Sequence, residues 1–256
     1  MTHVFRTLQQ LLIPVVLLAL WWALSDSSTS LYFPPLREIM TEFRDIWLFS
    51  EFTSVLMPTL RTFMVGYAIS VILGVVLGLF LSAKPFVAEF IGPLMEFLRA
   101  LPAIALVPVF MSVLGVGENM RLSIVVFASV WPVLLNTVDG VRGLDSVAKD
   151  TSISFRLPFW QKLLFVTLPG ASPQIMAGAR VALSLSLIAV IVTEMVSPAS
   201  GVGAFAKSAQ MRFDMSAMWS AVLLMGIVGY LLNNAFIVLE KRILKWHKQM
   251  QSTGKS

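Results

Sequence analysis

The side chains in this sequence that could do chemistry are a few charged residues set in or beside long apolar runs. Arg180 and Glu194 lie in one such run, and Arg99 stands at the start of another. Ionisable groups at membrane depth are costly, so they contact a ligand, an ion path or one another. In a continuous helix Arg180 and Glu194 are about 21 Å apart, which excludes a direct pair. We expect Arg180 to meet a carboxylate or the membrane interface, and Glu194 to line a solute path or reach the opposite interface.

No group of residues predicts catalysis or a bound cofactor. His3 and His247 lie in opposite terminal segments and suggest no metal site, and with no cysteine the chain has no disulfide or thiolate chemistry. Gly254-Lys255-Ser256 matches the end of a phosphate-binding loop, but Gln249 stands where the first glycine of that loop belongs. We therefore expect no ATP site in this chain, so that any ATP-driven work depends on another protein.

The elements that must position these charges are membrane helices. The 256 residues are 57% hydrophobic and 13% charged, and their mean hydropathy is +0.82, values that indicate an all-α integral membrane protein. A Gly74-x3-Gly78 motif predicts a close helix contact inside a bundle. Six transmembrane helices are predicted, at Leu8–Leu24, Phe63–Ala83, Ala100–Val116, Leu122–Val138, Gln174–Val196 and Met215–Leu239.

A long polar and basic loop, residues 142–173, separates the fourth predicted helix from the fifth. Two amphipathic pieces lie in it, Leu144–Phe155 and Phe159–Leu168, joined at Leu157-Pro158, and Pro169 is expected to end the second. The pattern favours a compact surface that another protein binds. A solvated loop without a partner is the alternative.

The residues of this loop resemble a known motif. The loop contains Asp150-Thr151-Ser152, then three residues, Arg156, nine further residues and Val166-Thr167-Leu168-Pro169. This pattern is similar to the E-A-A, x3, G, x9, I, x, L-P loop of ABC importer permeases. The register is intact, but Asp replaces Glu, Thr and Ser replace the two alanines, and Arg156 replaces glycine. Arginine cannot make the close backbone approach that glycine allows, so we expect this loop to dock on its partner with a different geometry.

Other segments, from Pro34 to the sixth predicted helix, resemble the nitrate, taurine and alkanesulfonate branch of the same family. The prolines Pro102 and Pro108 would kink the third helix, which suits a wall of the solute path or, equally, a packing kink. The matching segments are Pro34-Pro35 with the amphipathic helix after it, Pro58–Phe63, Leu98–Pro108, Gly115–Glu118, Gly178-Ala179-Arg180, and Glu194 with Gly201-Val202-Gly203.

The resemblance implies a type I ABC importer permease fold with a cytoplasmic coupling helix, and a membrane-spanning subunit for a nitrate-like, sulfonate-like, taurine-like or related small solute. Its implied partners are ATPase subunits that bind ATP and Mg, a second permease copy or a related permease, an extracytoplasmic substrate-binding protein and lipid, but no nucleic acid. Asp150 to Phe159 would seat in a cleft on the ATPase, with Leu168 and Pro169 closing the motif.

Lys and Arg are distributed unequally about the predicted helices. With both termini on the same side as the loop, twelve fall on that side and five on the other, which predicts cytoplasmic N and C termini. The resemblance implies that the membrane is the bacterial inner membrane. The alternative function is a secondary transporter or channel driven by an ion gradient, which would favour acids in mid-span and inverted repeats. A membrane scaffold or enzyme subunit is a third possibility.

Overall fold

The structure is a computed structural model, and it describes residues 12, 16, 19–26, 30–197 and 200–245. All regular secondary structure in this part is helical. The predicted first span, Leu8–Leu24, lies largely outside the described residues, as do His3 and His247. The α-helices are α1 Leu36–Asp45, α2 Met57–Ala83, α3 Pro85–Ala100, α4 Val107–Leu114, α5 Glu118–Arg142, α6 Ser146–Ser154, α7 Phe159–Lys162, α8 Leu168–Val196, α9 Val202–Met211 and α10 Met215–Ile243.

Among the described residues, four continuous helical stretches are long and apolar enough to cross a membrane. They are Phe52–Ala83, Glu118–Arg142, Phe159–Val196 and Met215–Ile243. Four of the predicted spans lie inside them. The helices extend beyond the apolar runs because backbone hydrogen bonding continues into polar residues past the hydrocarbon region.

The helices α2 and α5 pack closely along a stripe of small residues. A Cβ on Gly74 would lie 2.6 Å from Cβ of Val133, and one on Gly78 would lie 2.6 Å from Cβ of Thr137. Glycine at both positions therefore lets the two backbones approach, as the motif predicts. Because residue numbers rise together along this contact, α2 and α5 run parallel. The same register continues through Gly66 with Val125 and Ser70 with Ser129.

The helix α8 runs antiparallel to α5. A Cβ on Gly178 would lie 2.5 Å from the carbonyl oxygen of Pro132, and one on Gly140 would lie 2.9 Å from Cβ of Gln174. The bundle thus has two ends. We call the end with the α5–α8 connection, residues 143–158, the loop end, and the opposite end, where α2, α5 and α10 begin, the far end.

Since α2 and α5 are parallel, the segment between them must return from the loop end to the far end. It does so as a broken unit: α3 and the helical stretch Ala103–Leu114 meet at 89°. The predicted third span, Ala100–Val116, covers only the second part of this unit, and the kink expected at Pro102 is a sharp break. The break occurs because Pro102 disfavours helical backbone at Leu101, which is extended with φ −71° and ψ 126°.

The loop is also shorter than predicted. The helix α5 continues to Arg142, and a helix runs from Phe159 to Val196 without interruption. The expectation that Pro169 ends a short helix is wrong, because Pro169 lies in the first turn of α8 and follows a π-helical turn, Leu163–Thr167. The π-helical turn changes the hydrogen-bond pattern immediately before the proline, so the helix continues past it. The connection therefore contains one isolated helix, α6, rather than two.

Around the far end, α1 and α9 pack against α10. The predicted amphipathic helix after Pro34-Pro35 is α1, and the turn that follows it buries Trp47, which is 1% exposed. The indole Nε1 of Trp47 donates to Oγ of Ser220 at 3.1 Å. This contact anchors the segment before α2 to the start of α10.

Candidate functional site

The helix α6 is the most prominent isolated element at the loop end. Its N-terminus is capped by Asp145, whose Oδ1 accepts from the N–H of Val147 at 3.1 Å. The Nζ of Lys149 donates to the carbonyl of Arg142 at 3.0 Å. A Cβ on Gly170 would lie 2.2 Å from Leu144, so that leucine packs directly over the start of α8. These contacts tie α6 to the ends of both long helices.

Arg156 ends α6 in a left-handed conformation, with φ +49°. Its N–H donates to the carbonyl of Ile153 at 2.9 Å, and the N–H of Leu157 donates to the carbonyl of Ser152 at 3.1 Å. These are the two hydrogen bonds of a Schellman cap, in which glycine is the usual left-handed residue. The backbone turn that glycine would favour is therefore present. The arginine changes the side chain that the turn presents and adds backbone strain of about 1–2 kcal/mol.

Large apolar side chains are exposed on both sides of this turn. Phe155 is 75% exposed, Phe159 65% and Trp160 68%. Asp150 and Thr151 are exposed on α6, whereas Ser152 is buried and donates to the carbonyl of Lys149. Exposed patches of this kind mark contact surfaces. The two last residues of the motif, Leu168 and Pro169, lie apart from this surface, in the first turn of α8.

Of the predicted path residues, Arg180 lies toward the loop end. Its Nη2 makes an ion pair with Oε2 of Glu240 in α10, and its guanidinium lies 6.0 Å from the ring centre of Phe236. The expected carboxylate partner is thus Glu240, sixty positions later in the sequence. The only sequence signal for this pairing is an acid at the end of an apolar run.

Glu194 lies at the far end and is fully buried. Both carboxylate oxygens accept from the hydroxyl of Thr59, at 2.9 and 3.0 Å, and Oε2 also accepts from the N–H of Gly203 at 3.0 Å. The Thr59 oxygen in turn accepts from the N–H of Val202 at 2.9 Å. The carboxylate is therefore enclosed by α2, α8 and the start of α9. Thr59 was not predicted from the sequence, where it is one hydroxyl among many.

Arg99, Pro102 and Pro108 lie on the broken unit. Arg99 is 3.6 Å from Glu96 of its own helix and lines a cleft of about 370 Å³ that also includes Asp139 and Arg142. The structure therefore separates the five predicted path residues. Arg99 and Arg180 lie toward the loop end, Glu194 lies at the far end, and the two prolines lie on the segment between the ends.

These features define a class: a multi-pass helical membrane protein in which a capped helix, tied to two long spans, presents an apolar surface at one end. Residues 70–245 match the family described as binding-protein-dependent transport system inner membrane component. The chain belongs to that family. It is a permease subunit of an ABC importer.

Individual relatives agree with the assignment. The chain is 25% identical over 245 residues to the putative aliphatic sulfonates transport permease protein SsuC of Bacillus subtilis (strain 168), covering 94% of this chain and 88% of that protein. It is 25% identical over 247 residues to the taurine transport system permease protein TauC of Escherichia coli (strain K12), covering 92% and 88%. It is 30% identical over 181 residues to the bicarbonate transport system permease protein CmpB of Synechococcus elongatus (strain ATCC 33912 / PCC 7942 / FACHB-805), covering 70% and 65%.

Solved structures share the fold. A chain of the MetNI methionine ABC transporter in an inward-facing conformation superposes with a TM-score of 0.64 at 16% identity, covering 72% of this chain and 92% of that one. A chain of an amino acid ABC transporter superposes with a TM-score of 0.58 at 14% identity, covering 80% and 96%. The predicted type I permease fold is confirmed. The family assignment decides against the ion-gradient alternative and implies ATPase partners.

Proposed function

We propose that α6 and the turn at Arg156 dock into a cleft of a cytoplasmic ATPase subunit and carry its motion to the membrane helices. The ATPase, not this chain, binds ATP and Mg. Two permeases, either two copies or a related pair, form the pore, and an extracytoplasmic substrate-binding protein delivers the solute. ATP-driven approach of the ATPase subunits then moves the docked helices and switches the pore between its two open states.

The observation that carries this proposal is the coupling surface, which we define as Asp150, Thr151, Arg156, Phe159 and Trp160. It combines exposed aromatic rings with charges of both signs, a composition suited to a protein partner. Lys149 of α6 bonds to the end of α5, and Leu144, just before α6, contacts the start of α8. A displacement of α6 would therefore move two spans together.

The proposed orientation follows from that docking. The loop end faces the cytoplasm of a bacterium, the chain crosses the inner membrane six times, and α10 brings the C-terminus to the cytoplasmic side. A first span over Leu8–Leu24 then places the N-terminus in the cytoplasm as well. The far end, with Glu194 and α9, faces the substrate-binding protein.

The solute is proposed from the relatives, which are named for aliphatic sulfonates, taurine, nitrate and bicarbonate. Each of these carries a small oxyanionic group, so a small oxyanionic solute is the proposed cargo. Arg99 and Arg180 stay candidates for the cytoplasmic part of the path, with Pro102 and Pro108 on its wall. Glu194 is proposed as a positioning residue, since its carboxylate is already occupied by hydrogen bonds.

The test is purification of the chain from native membranes, followed by identification of bound proteins and measurement of ATPase activity. Recovery of an ATPase subunit is expected, and its loss from D150N or F159A preparations, with the permease still folded, would support the coupling surface. Glu89→Gln and Phe90→Ala are the matched controls, because both residues are exposed on α3 outside that surface. Transport in liposomes without nucleotide, or normal coupling in the D150N/F159A double variant, would contradict the proposal.

A further inference from the structure

A polar cleft at the far end is not explained by helix packing or by the coupling surface. Its volume is about 490 Å³, and it lies between the start of α2 and the start of α5. Two guanidinium groups and one carboxylate line it, together with hydroxyl and carbonyl groups. The polar residues are Thr53, Arg61, Thr62, Glu118, Arg121 and Ser200.

Arg61 is the first cation of the cleft. Its Nη2 lies 3.7 Å from Oε1 of Glu118, and the two side chains are 74% and 45% exposed. A charge-assisted hydrogen bond is about 2.7–2.9 Å long, so this pair is a loose one. Exposed pairs of this kind contribute little stability. Arg61 can therefore exchange Glu118 for a ligand oxygen at small cost.

Arg121 is the second cation. Its Nη1 makes one long contact, 3.5 Å, to the carbonyl oxygen of Ser200. Its Nε is buried and, among the described residues, has no hydrogen-bond partner. Arg121 also lies near Glu194, but that carboxylate is enclosed by Thr59 and Gly203 and does not line the cleft. The donors of Arg121 are thus mostly unused, although a guanidinium favours paired acceptors.

The position of these groups adds to the positive potential. Arg121 lies in the first turn of α5, and the unpaired N–H groups of a helix start favour an anion. Two guanidinium groups with planar arrays of donors match an oxyanion such as sulfonate, carboxylate or nitrate. Among the described residues, Glu118 is the one carboxylate that lines the cleft, and it competes with such a ligand for Arg61.

We propose that this cleft is a binding site for a small oxyanion, held between Arg61 and Arg121, which receives the solute at the far end of the permease. The inference rests on the proposed function for its orientation, since the far end must face the substrate-binding protein. Glu118 acts as an internal competitor that keeps affinity low enough for release. A weak site suits a transport path, in which tight binding would slow passage.

The test uses the purified transporter in nanodiscs of neutral lipid, with sodium ethanesulfonate as the probe and sodium chloride at equal ionic strength as the reference. A ligand that binds the folded state raises the melting temperature in a saturable way. We expect Arg61→Gln and Arg121→Gln each to weaken the apparent affinity about tenfold or more. Arg37→Gln, an exposed arginine on α1 outside the cleft, is expected to leave it unchanged.

Glu118→Gln gives the decisive arm, because its expected effect has the opposite sign. Removing the competing carboxylate is expected to tighten ethanesulfonate binding a few-fold, whereas a purely structural role for the Arg61 and Glu118 pair predicts no gain. Each variant is compared with its own melting temperature without the probe, so a general loss of stability does not imitate the result. Unchanged affinity in the arginine variants, or weaker binding in E118Q, would overturn the proposal.

A lipid headgroup carries the same oxyanion chemistry as the solute, and a second experiment distinguishes the two ligands. Nanodiscs containing phosphatidylglycerol are expected to leave the ethanesulfonate shift in place; its abolition there would assign the cleft to lipid and overturn the solute site. The ATPase activity of the same wild-type preparation separates the two levels of inference. If the ATPase is active but the cleft variants bind ethanesulfonate with unchanged affinity, only the proposed binding site is contradicted. If no ATPase is present, the proposed importer assembly is contradicted.

Discussion

The hydroxyl of Thr59 donates to the buried carboxylate of Glu194, 135 positions away in the sequence, at 2.9 Å. The same oxygen accepts from the N–H of Val202 at 2.9 Å. One side chain thus joins α2, α8 and α9. Because α9 lies at the end proposed to meet the substrate-binding protein, this junction would transmit a push on α9 to two spans.

Replacing Thr59 by valine is expected to destabilise the protein. The change keeps the shape but removes the hydrogen bond to Oε1 of Glu194 and the acceptor of the Val202 N–H, at a cost of about 1–3 kcal/mol. The melting temperature of the purified protein measures the loss. Thr41→Val is the matched control, because that hydroxyl is exposed and bonds only to the carbonyl of Arg37 within its own helix. Equal stability of both variants would contradict the junction.

Gly201 is expected to tolerate no side chain. A Cβ there would lie 2.2 Å from Cδ of Glu194, and the backbone has φ +149°, a conformation that favours glycine. Gly201→Ala should therefore lower the melting temperature and weaken docking of α9. Gly226→Ala serves as the control, since nothing lies within 4 Å of its Cβ position and it sits inside α10. There alanine is expected to add about 0.5–1 kcal/mol of stability.

Arg156→Gly is expected to stabilise the turn after α6, because glycine adopts φ +49° without the strain of about 1–2 kcal/mol that arginine bears. Amide hydrogen exchange across α6 measures the effect as slower exchange. Arg156→Ala removes the guanidinium as well but keeps the Cβ. If the alanine variant gains as much protection as the glycine variant, strain is not the cause.

The ion pair between Arg180 and Glu240 is expected to give a measurable coupling in a double-mutant cycle. Arg180 is 47% exposed and Glu240 is 21% exposed, so a coupling of about 0.5–1 kcal/mol is expected between Arg180→Gln and Glu240→Gln. Melting temperatures of the two single variants and the double variant supply the cycle. The exposed pair Arg44 and Asp45, at 3.4 Å, is the reference and should show little or no coupling.

Much of the fold could be predicted because each membrane helix is specified by a continuous apolar segment of the sequence. The apolar runs predict the four helices that are long enough to span a membrane. Gly74-x3-Gly78 predicts a close helix contact, but the motif does not identify α5 as the partner helix. The sequence predicts a kink in the third span at Pro102, but the 89° angle of the break is visible only in the structure, since a proline signals a kink and not its angle. The sequence predicts a helix end at Pro169, but the helix continues past this proline because a π-helical turn precedes it.

For the site, the register of the coupling loop and the residue that departs from the family's motif, Arg156, could be predicted from the sequence alone. That the left-handed turn persists there was decided by the hydrogen bonds of the folded chain. The partners of Arg180 and Glu194, and the meeting of Arg61 with Arg121, were decided only by tertiary structure. A local sequence pattern predicts which face of a helix is buried. It does not predict which distant helix supplies Glu240 or Thr59, because that depends on how the helices pack against one another.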